Sequence, residues 1–80
     1  MDPAIAFGRV LRKLRQEAGL TQEELGFESS LQRVHISLIE LGKTQPTLNS
    51  IIKLGKALKI SAKDLVGLAE AELSRPKKKG

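Results

Sequence analysis

The apolar residues in the first part of the chain recur at the spacing of an amphipathic helix. Between Pro3 and Ala18 they fall three or four residues apart, while basic and amide side chains occupy the opposite side. Asp2 is a suitable N-terminal cap, Pro3 suits a first helical turn, and Gly19 is typical of a helix C-terminus. The pattern therefore predicts a first helix from Pro3 to Ala18.

A second helix is predicted directly after the first. The Thr-x-x-Glu pattern from Thr21 to Glu24 is a capping box, in which each side chain accepts a hydrogen bond from the other residue's backbone amide. We expect this helix to bury Leu25 and Phe27. It should end near Glu28, because the two serines that follow form side-chain to backbone hydrogen bonds that compete with a helix.

A third helix is predicted from Gln32 to Leu41, with a glycine after it. Ile36 and Ile39 share the side that faces the core. The opposite side mixes polar with apolar residues, which is unusual for a surface that meets only water: Arg33, Val34, Ser37, Leu38 and Leu41. We therefore expect a partner to dock there.

Two more capped helices complete the chain. Thr47 caps a fourth helix, whose predicted apolar stripe contains Leu48, Ile51, Ile52, Gly55 and Leu58. Ser61 caps a fifth helix that runs to about Leu73. Since strand-like alternation is absent, the pattern predicts an all-α, five-helix domain over residues 1–73. The basic tail, residues 74–80, is expected to be disordered.

The composition excludes several classes of site. With no Cys and one His, the sequence predicts no metal site, no disulfide and no thiol nucleophile. It offers no carboxylate pair or oriented His, so we expect neither an enzyme nor a cofactor. Two Phe and no Trp or Tyr argue against a base-stacking platform for single strands. No apolar run is long enough to cross a membrane, and we expect a cytoplasmic protein.

The positive charge is concentrated at one end of the chain. The net charge is +5, but the last six residues include four basic ones: Arg75, Lys77, Lys78 and Lys79. Without them, ten basic residues face nine acidic ones. The placement of charge, rather than its total, must therefore support any argument for nucleic-acid binding.

The segment from Thr21 to Gly42 has the order of a helix-turn-helix motif, with a short capped helix, a tight polar turn and a second helix. In that motif the second helix lies in the major groove of double-stranded DNA and the first crosses the backbone. Gln22 lies in the first turn of its helix, where free backbone amides and the helix dipole favour a phosphate. The spacing therefore predicts a protein that binds double-stranded DNA.

Two stretches carry a more specific resemblance. Leu14 to Leu25 contains Gly-Leu-Thr-Gln-Glu-Glu-Leu, and Ile36 to Leu48 contains Ile-Glu-Leu-Gly. Over about residues 5–68, the chain resembles the phage-repressor and Cro-like helix-turn-helix family. That family includes restriction-modification controller proteins and xenobiotic-response-element-type regulators. The resemblance implies a lambda-repressor-like domain with the motif at helices 2 and 3, which regulates transcription as a dimer on a palindromic operator.

The resemblance also implies roles for single residues. Gln22 corresponds to the family's backbone-anchoring glutamine, and Lys43 and Thr44 match a loop that touches phosphate. Glu40 matches an acidic residue that forms a structural ion pair with an arginine of the first helix, here Arg15. The contact positions of the recognition helix are occupied by Gln32, Arg33, Val34 and Ser37.

Other recognition-helix positions depart from the family pattern. We expect Arg33 to bind a guanine, and Val34 or Leu38 to pack against thymine methyl groups. A protein interface is the alternative for Val34 and Leu38. His35 stands where the family often has an aromatic residue; it is a candidate for DNA contact, with packing inside its own domain as the alternative. Serines in the turn before this helix predict a shortened second helix.

The fifth helix predicts a homodimer. It carries more apolar residues than one core-facing stripe needs: Leu65, Val66, Leu68, Ala69, Ala71 and Leu73. A different function also stays open, that of a protein-interaction module such as an antitoxin, which would bind an unknown protein through Val34, Leu38 and Leu41. Binding of duplex DNA by the isolated chain separates the two readings.

Overall fold

The structure is a computed structural model that describes residues 1–75. These residues form five α-helices and no strand: α1 (Pro3–Glu17), α2 (Gln22–Ser29), α3 (Arg33–Glu40), α4 (Leu48–Leu58) and α5 (Ala62–Ser74). The all-α, five-helix prediction is confirmed, with α2 and α3 as the two helices of the motif. The last helix ends one residue beyond the expected boundary at residue 73, and residues 76–80 of the basic tail lie outside the described part.

One hydrophobic core joins all five helices. α1 packs against both α5 and α3, and α2 and α4 close the remaining sides. Six large side chains are completely buried: Leu11, Leu25, Ile36, Ile39, Leu54 and Leu65. Full burial of such a side chain stabilises the fold by about 1.5–3 kcal/mol relative to exposure. Because Ile36 and Ile39 belong to this set, the inner side of α3 is fixed by the core.

Gly8 allows α1 and α3 to approach closely. A Cβ atom at Gly8 would lie 2.6 Å from the carbonyl oxygen of Glu40, and closer still to that of Ile39. Any side chain at this position would collide with backbone rather than with a movable side chain. The last turn of α3 therefore rests directly on α1.

The turn between α2 and α3 is built from backbone hydrogen bonds. Ser30 adopts the left-handed conformation with φ 61°, and the amide of Leu31 donates to the carbonyl of Gly26 at 2.9 Å. The turn between α4 and α5 repeats this arrangement, with Lys59 at φ 60° and the next amide donating to Gly55 at 2.9 Å. Both turns are Schellman-type helix ends, which satisfy the last carbonyls of a helix.

Phe27 is exposed, and the prediction that it faces the core is wrong. Its exposed fraction is 85%, whereas Leu25 is completely buried. A residue two positions along a helix is turned by about 200°, so both cannot face one core. α2 also continues to Ser29 instead of ending at Glu28, because the Ser29 hydroxyl donates to the Leu25 carbonyl at 2.7 Å and is satisfied inside the helix.

The apolar stripe predicted for α4 is wrong at two positions. Leu48 is 70% exposed and Ile52 is 41% exposed, whereas Leu54, which the stripe left out, is completely buried. Ser50 lies on the same buried side as Leu54. Because apolar residues occupy much of the circumference of α4, the sequence pattern did not determine which side meets the core.

Candidate nucleic-acid interface

An ion pair joins α1 to the end of α3. Arg15 Nε donates to Glu40 Oε2 at 2.7 Å, and Arg15 Nη2 donates to Glu40 Oε1 at 3.1 Å. Arg15 Nη1 donates to the carbonyl of Leu20 at 2.9 Å. The side chains of Arg15 and Glu40 are only 12% and 3% exposed. The hydrogen bonds to Glu40 raise the pKa of Arg15 above its ordinary value, so the guanidinium stays charged.

Gln22 extends this ion pair to α2. Its Nε2 donates to Glu40 Oε1 at 3.1 Å. The helix start that carries Gln22 is held by the capping box, in which the Glu24 amide donates to Thr21 Oγ1 at 3.0 Å and the Thr21 amide donates to Glu24 Oε1 at 2.8 Å. An amide side chain has two N–H donors and one acceptor oxygen, so Gln22 keeps hydrogen-bonding capacity for a ligand.

The outer side of α3 is apolar along its middle. Ile36 and Ile39 are buried, whereas Val34, Leu38 and Leu41 are 58%, 38% and 59% exposed. We call these three exposed residues the apolar ridge. Its members are four and three residues apart, so they lie on one side of the helix in successive turns.

Several predicted site residues line two shallow depressions. Gln22 and Arg33 line one of them together with Arg15, Gly19, Leu20, Thr21 and Glu23. The second is lined by Ser30, Leu31, Gln32, Val34, His35 and Leu38, so it includes two members of the apolar ridge. The structure thus brings Gln22 beside Arg33 in one depression and His35 beside Gln32 in the other.

The remaining candidates lie further along the chain. Ser37 is half-buried on α3, Lys43 is exposed in the loop after α3, and Thr44 is half-buried beside it. The amide of Lys43 donates to the carbonyl of Leu38 at 2.9 Å, which fixes where that loop leaves the helix.

Sequence reasoning missed one feature of this face. The hydrogen bond between Gln22 and Glu40 joins residues 18 positions apart, and no local periodicity indicates it. The sequence pattern did place Leu41 with Val34 and Leu38 on the outer side of α3, and the structure leaves all three exposed.

In residues 1–75, no group of three or more His, Asp or Glu side chains is placed to hold a metal ion. No helix in this range combines the length and the apolar character needed to cross a membrane.

The fold, the capped α2 and the exposed outer side of α3 define a DNA-binding domain of the transcription-regulator class. Residues 11–65 match the family described as Helix-turn-helix, and the chain belongs to that family. Membership confirms the resemblance that the sequence carries in its Gly-Leu-Thr-Gln and Ile-Glu-Leu-Gly motifs.

Several relatives are regulatory proteins. Control protein C.BamHI of Bacillus amyloliquefaciens is 40% identical over 63 residues, which cover 78% of each chain. The crystal structure of the restriction-modification controller protein C.AhdI from Aeromonas hydrophila is similar with a TM-score of 0.75 and 40% identity, over 78% of this chain and 94% of that one. The crystal structure of the wild-type restriction-modification controller protein C.Esp1396I is similar with a TM-score of 0.85 and 28% identity, over 96% of this chain and 99% of that one. Like these relatives, the chain is a regulatory protein and not an enzyme.

Proposed function

We propose that the protein regulates transcription as a homodimer on a palindromic operator in double-stranded DNA. In this arrangement α3 enters the major groove while the start of α2 lies against the sugar-phosphate backbone. The main support for this proposal is that α3 is buried on one side and exposed on the other. Glu40 accepts hydrogen bonds from both Arg15 and Gln22, which holds α3 against α1 and α2. Such a regulator acts in the bacterial cytoplasm, where the DNA is.

Arg33 is the proposed base-selecting residue. It is the first residue of α3 and is exposed, and the N-terminal residues of a recognition helix contact base edges. A guanidinium matches the O6 and N7 acceptors of guanine with two parallel hydrogen bonds. Gln32, His35 and Ser37 supply further polar contacts around it.

Gln22, Lys43 and Thr44 are the proposed backbone contacts. Gln22 begins α2, where unpaired amides and the positive end of the helix dipole favour a phosphate. Lys43 is exposed in the loop after α3, and the Gln22 side chain hydrogen-bonds Glu40 at that same end of the helix. Phosphate contacts of this kind fix the register of a protein on the duplex without reading its sequence.

The proposed dimer contact lies on the side of α5 that carries Val66 and on the adjoining part of α4. Val66 is 41% exposed and lines a cavity with Ile51 of α4 and with Leu73. Ile52, next to Ile51, is 41% exposed. A second copy that covers this apolar surface would give the protein two recognition helices, and the half-sites of such dimers lie about 34–36 Å apart on one side of the duplex.

Selection of bound sequences from random duplex DNA, with the full chain at a stated salt concentration, tests the proposal. We expect a two-fold symmetric site, and sedimentation of the free protein should show a dimer. Val66→Glu should give a monomer with much weaker operator binding, whereas Gln16→Glu, an equal charge change at an exposed position of α1, should remain dimeric. Recovery of unrelated sequences would contradict the regulator assignment, and a monomeric wild-type chain would contradict the dimer.

A further inference from the structure

In the middle of the recognition helix the exposed side chains are apolar, whereas His35 and Ser37 are half-buried. Val34 and Leu38 are the outermost residues there, and both are exposed, at 58% and 38%. Aliphatic side chains neither donate nor accept hydrogen bonds, so they discriminate bases only by apolar contact. These two residues lie one turn apart on the side opposite Ile36. Their burial favours binding only if the partner offers apolar groups to cover them.

The charges around the apolar ridge favour DNA as that partner. The exposed cations Arg33 and Lys43 lie beyond its two ends in sequence. The single acidic residue of α3, Glu40, has a side chain that is 3% exposed and is paired with Arg15. An apolar ridge between two cations complements a surface that carries apolar groups between phosphates.

We propose that Val34 and Leu38 bind the C5-methyl groups of pyrimidines in the major groove. This rests on the proposed function, because it assumes that α3 lies in that groove. The thymine C5-methyl is the apolar group that the four base pairs present there, and 5-methylcytosine carries the same methyl at the same place. The protein therefore reads thymine and 5-methylcytosine through one contact, and cytosine C5-methylation at these positions strengthens binding.

The spacing of the two side chains fits neighbouring methyl groups. Residues four apart on a helix are separated by about 6 Å along its axis. Val34 and Leu38 can therefore contact the methyl groups of different base pairs, which predicts two methyl-dependent positions in each half-site.

The test replaces each thymine of the selected operator by deoxyuridine, which removes only the methyl group. We expect affinity to fall about fourfold at each position that contacts the ridge, the factor that burial of one methyl group supplies. Val34→Ala or Leu38→Ala should bind the unmodified operator more weakly and lose the response at one position each. Phe27→Ala, which changes an exposed apolar residue outside α3, should keep both responses.

A second arm uses cytosine at the same positions, with and without a C5-methyl group. Methylation should raise the affinity of the wild-type chain about fourfold and leave the matching alanine variant unchanged. Circular dichroism at the temperature of the binding assay should show that each variant is folded, because Val34 and Leu38 lie outside the buried core.

Selective operator binding with no response to deoxyuridine, or ridge variants that bind like wild type, would overturn this inference and leave the proposed function standing. The latter outcome would assign the ridge to a protein partner. Absence of selective duplex binding would overturn both proposals together.

Discussion

Gln22 Nε2 lies 3.1 Å from Glu40 Oε1 and donates a hydrogen bond to it, so the first residue of α2 is tied to the last residue of α3. The same carboxylate oxygen accepts a hydrogen bond from Arg15. The residue that we propose to contact phosphate is therefore positioned by the ion pair that holds the motif together. Substitution of Glu40 should therefore mainly reduce the stability of the fold, whereas substitution of Gln22 should mainly reduce DNA affinity.

Glu40→Ala should unfold the protein rather than merely abolish DNA binding. Removal of one partner of a buried ion pair costs about 3–5 kcal/mol, and a domain of this size has a total stability near 5 kcal/mol. Urea unfolding followed by circular dichroism measures the loss. Glu28→Ala, at an exposed position on α2, is the control and should change stability by less than about 0.5 kcal/mol. An unchanged melting temperature for Glu40→Ala would refute the structural role of the pair.

Gln22→Ala should leave the fold intact and weaken binding to every duplex by a similar factor. The lost hydrogen bond to Glu40 costs about 1 kcal/mol of stability. The lost phosphate contact carries no sequence information, so operator and unrelated DNA should be affected alike. Fluorescence anisotropy on both duplexes measures this, with Gln16→Ala on α1 as the control. A loss confined to the operator would show that Gln22 reads a base.

Arg33→Ala should cost about 1–3 kcal/mol of operator affinity and relax the preference at one position of each half-site. Lys43→Ala is the matched comparison, because it should weaken all sequences and reduce the salt dependence by about one ion. Repeating the selection from random duplexes with each variant separates the two effects. If Arg33→Ala weakened every duplex equally, its contact would be to phosphate.

The same substitution at two glycines should have effects of opposite sign. Gly8→Ala places a Cβ against the carbonyl groups of Ile39 and Glu40, and should destabilise the fold by about 1–3 kcal/mol. Gly67→Ala, inside α5 with nothing within 4 Å of the new atom, should stabilise it by about 0.5–1 kcal/mol. Thermal unfolding at equal protein concentration compares them. A stable Gly8→Ala variant would mean that α3 can move away from α1.

Local sequence rules predicted most of the fold because four of the five helix starts are specified by a side-chain cap; α3 has none. Asp2, Thr21, Thr47 and Ser61 all accept a hydrogen bond from a backbone amide at the start of the next helix. The rules failed where a helix carries apolar residues on more than one side, because they did not determine which side faces the core. For Leu54 and Phe27, that choice depends on which neighbouring helix provides the core, and sequence spacing does not contain it.

The candidate site divides in the same way. The order of the motif and the resemblance gave the positions of Arg15, Glu40 and the outer residues of α3. The shared depression of Gln22 and Arg33 depends on how α2 packs across α3, and so does the hydrogen bond from Gln22 to Glu40. Contacts between residues far apart in the chain arise only from that packing.

The turn between α2 and α3 is fixed by main-chain geometry at Ser30 and Gly26, and the turn between α4 and α5 has the same main-chain arrangement at Lys59 and Gly55. None of these four positions is among the proposed DNA contacts. The residues that fix the turn are therefore different from the residues of α3 that are proposed to contact bases. A lineage can exchange the outward residues of α3 for others and acquire a new operator, while the corner that presents them stays the same.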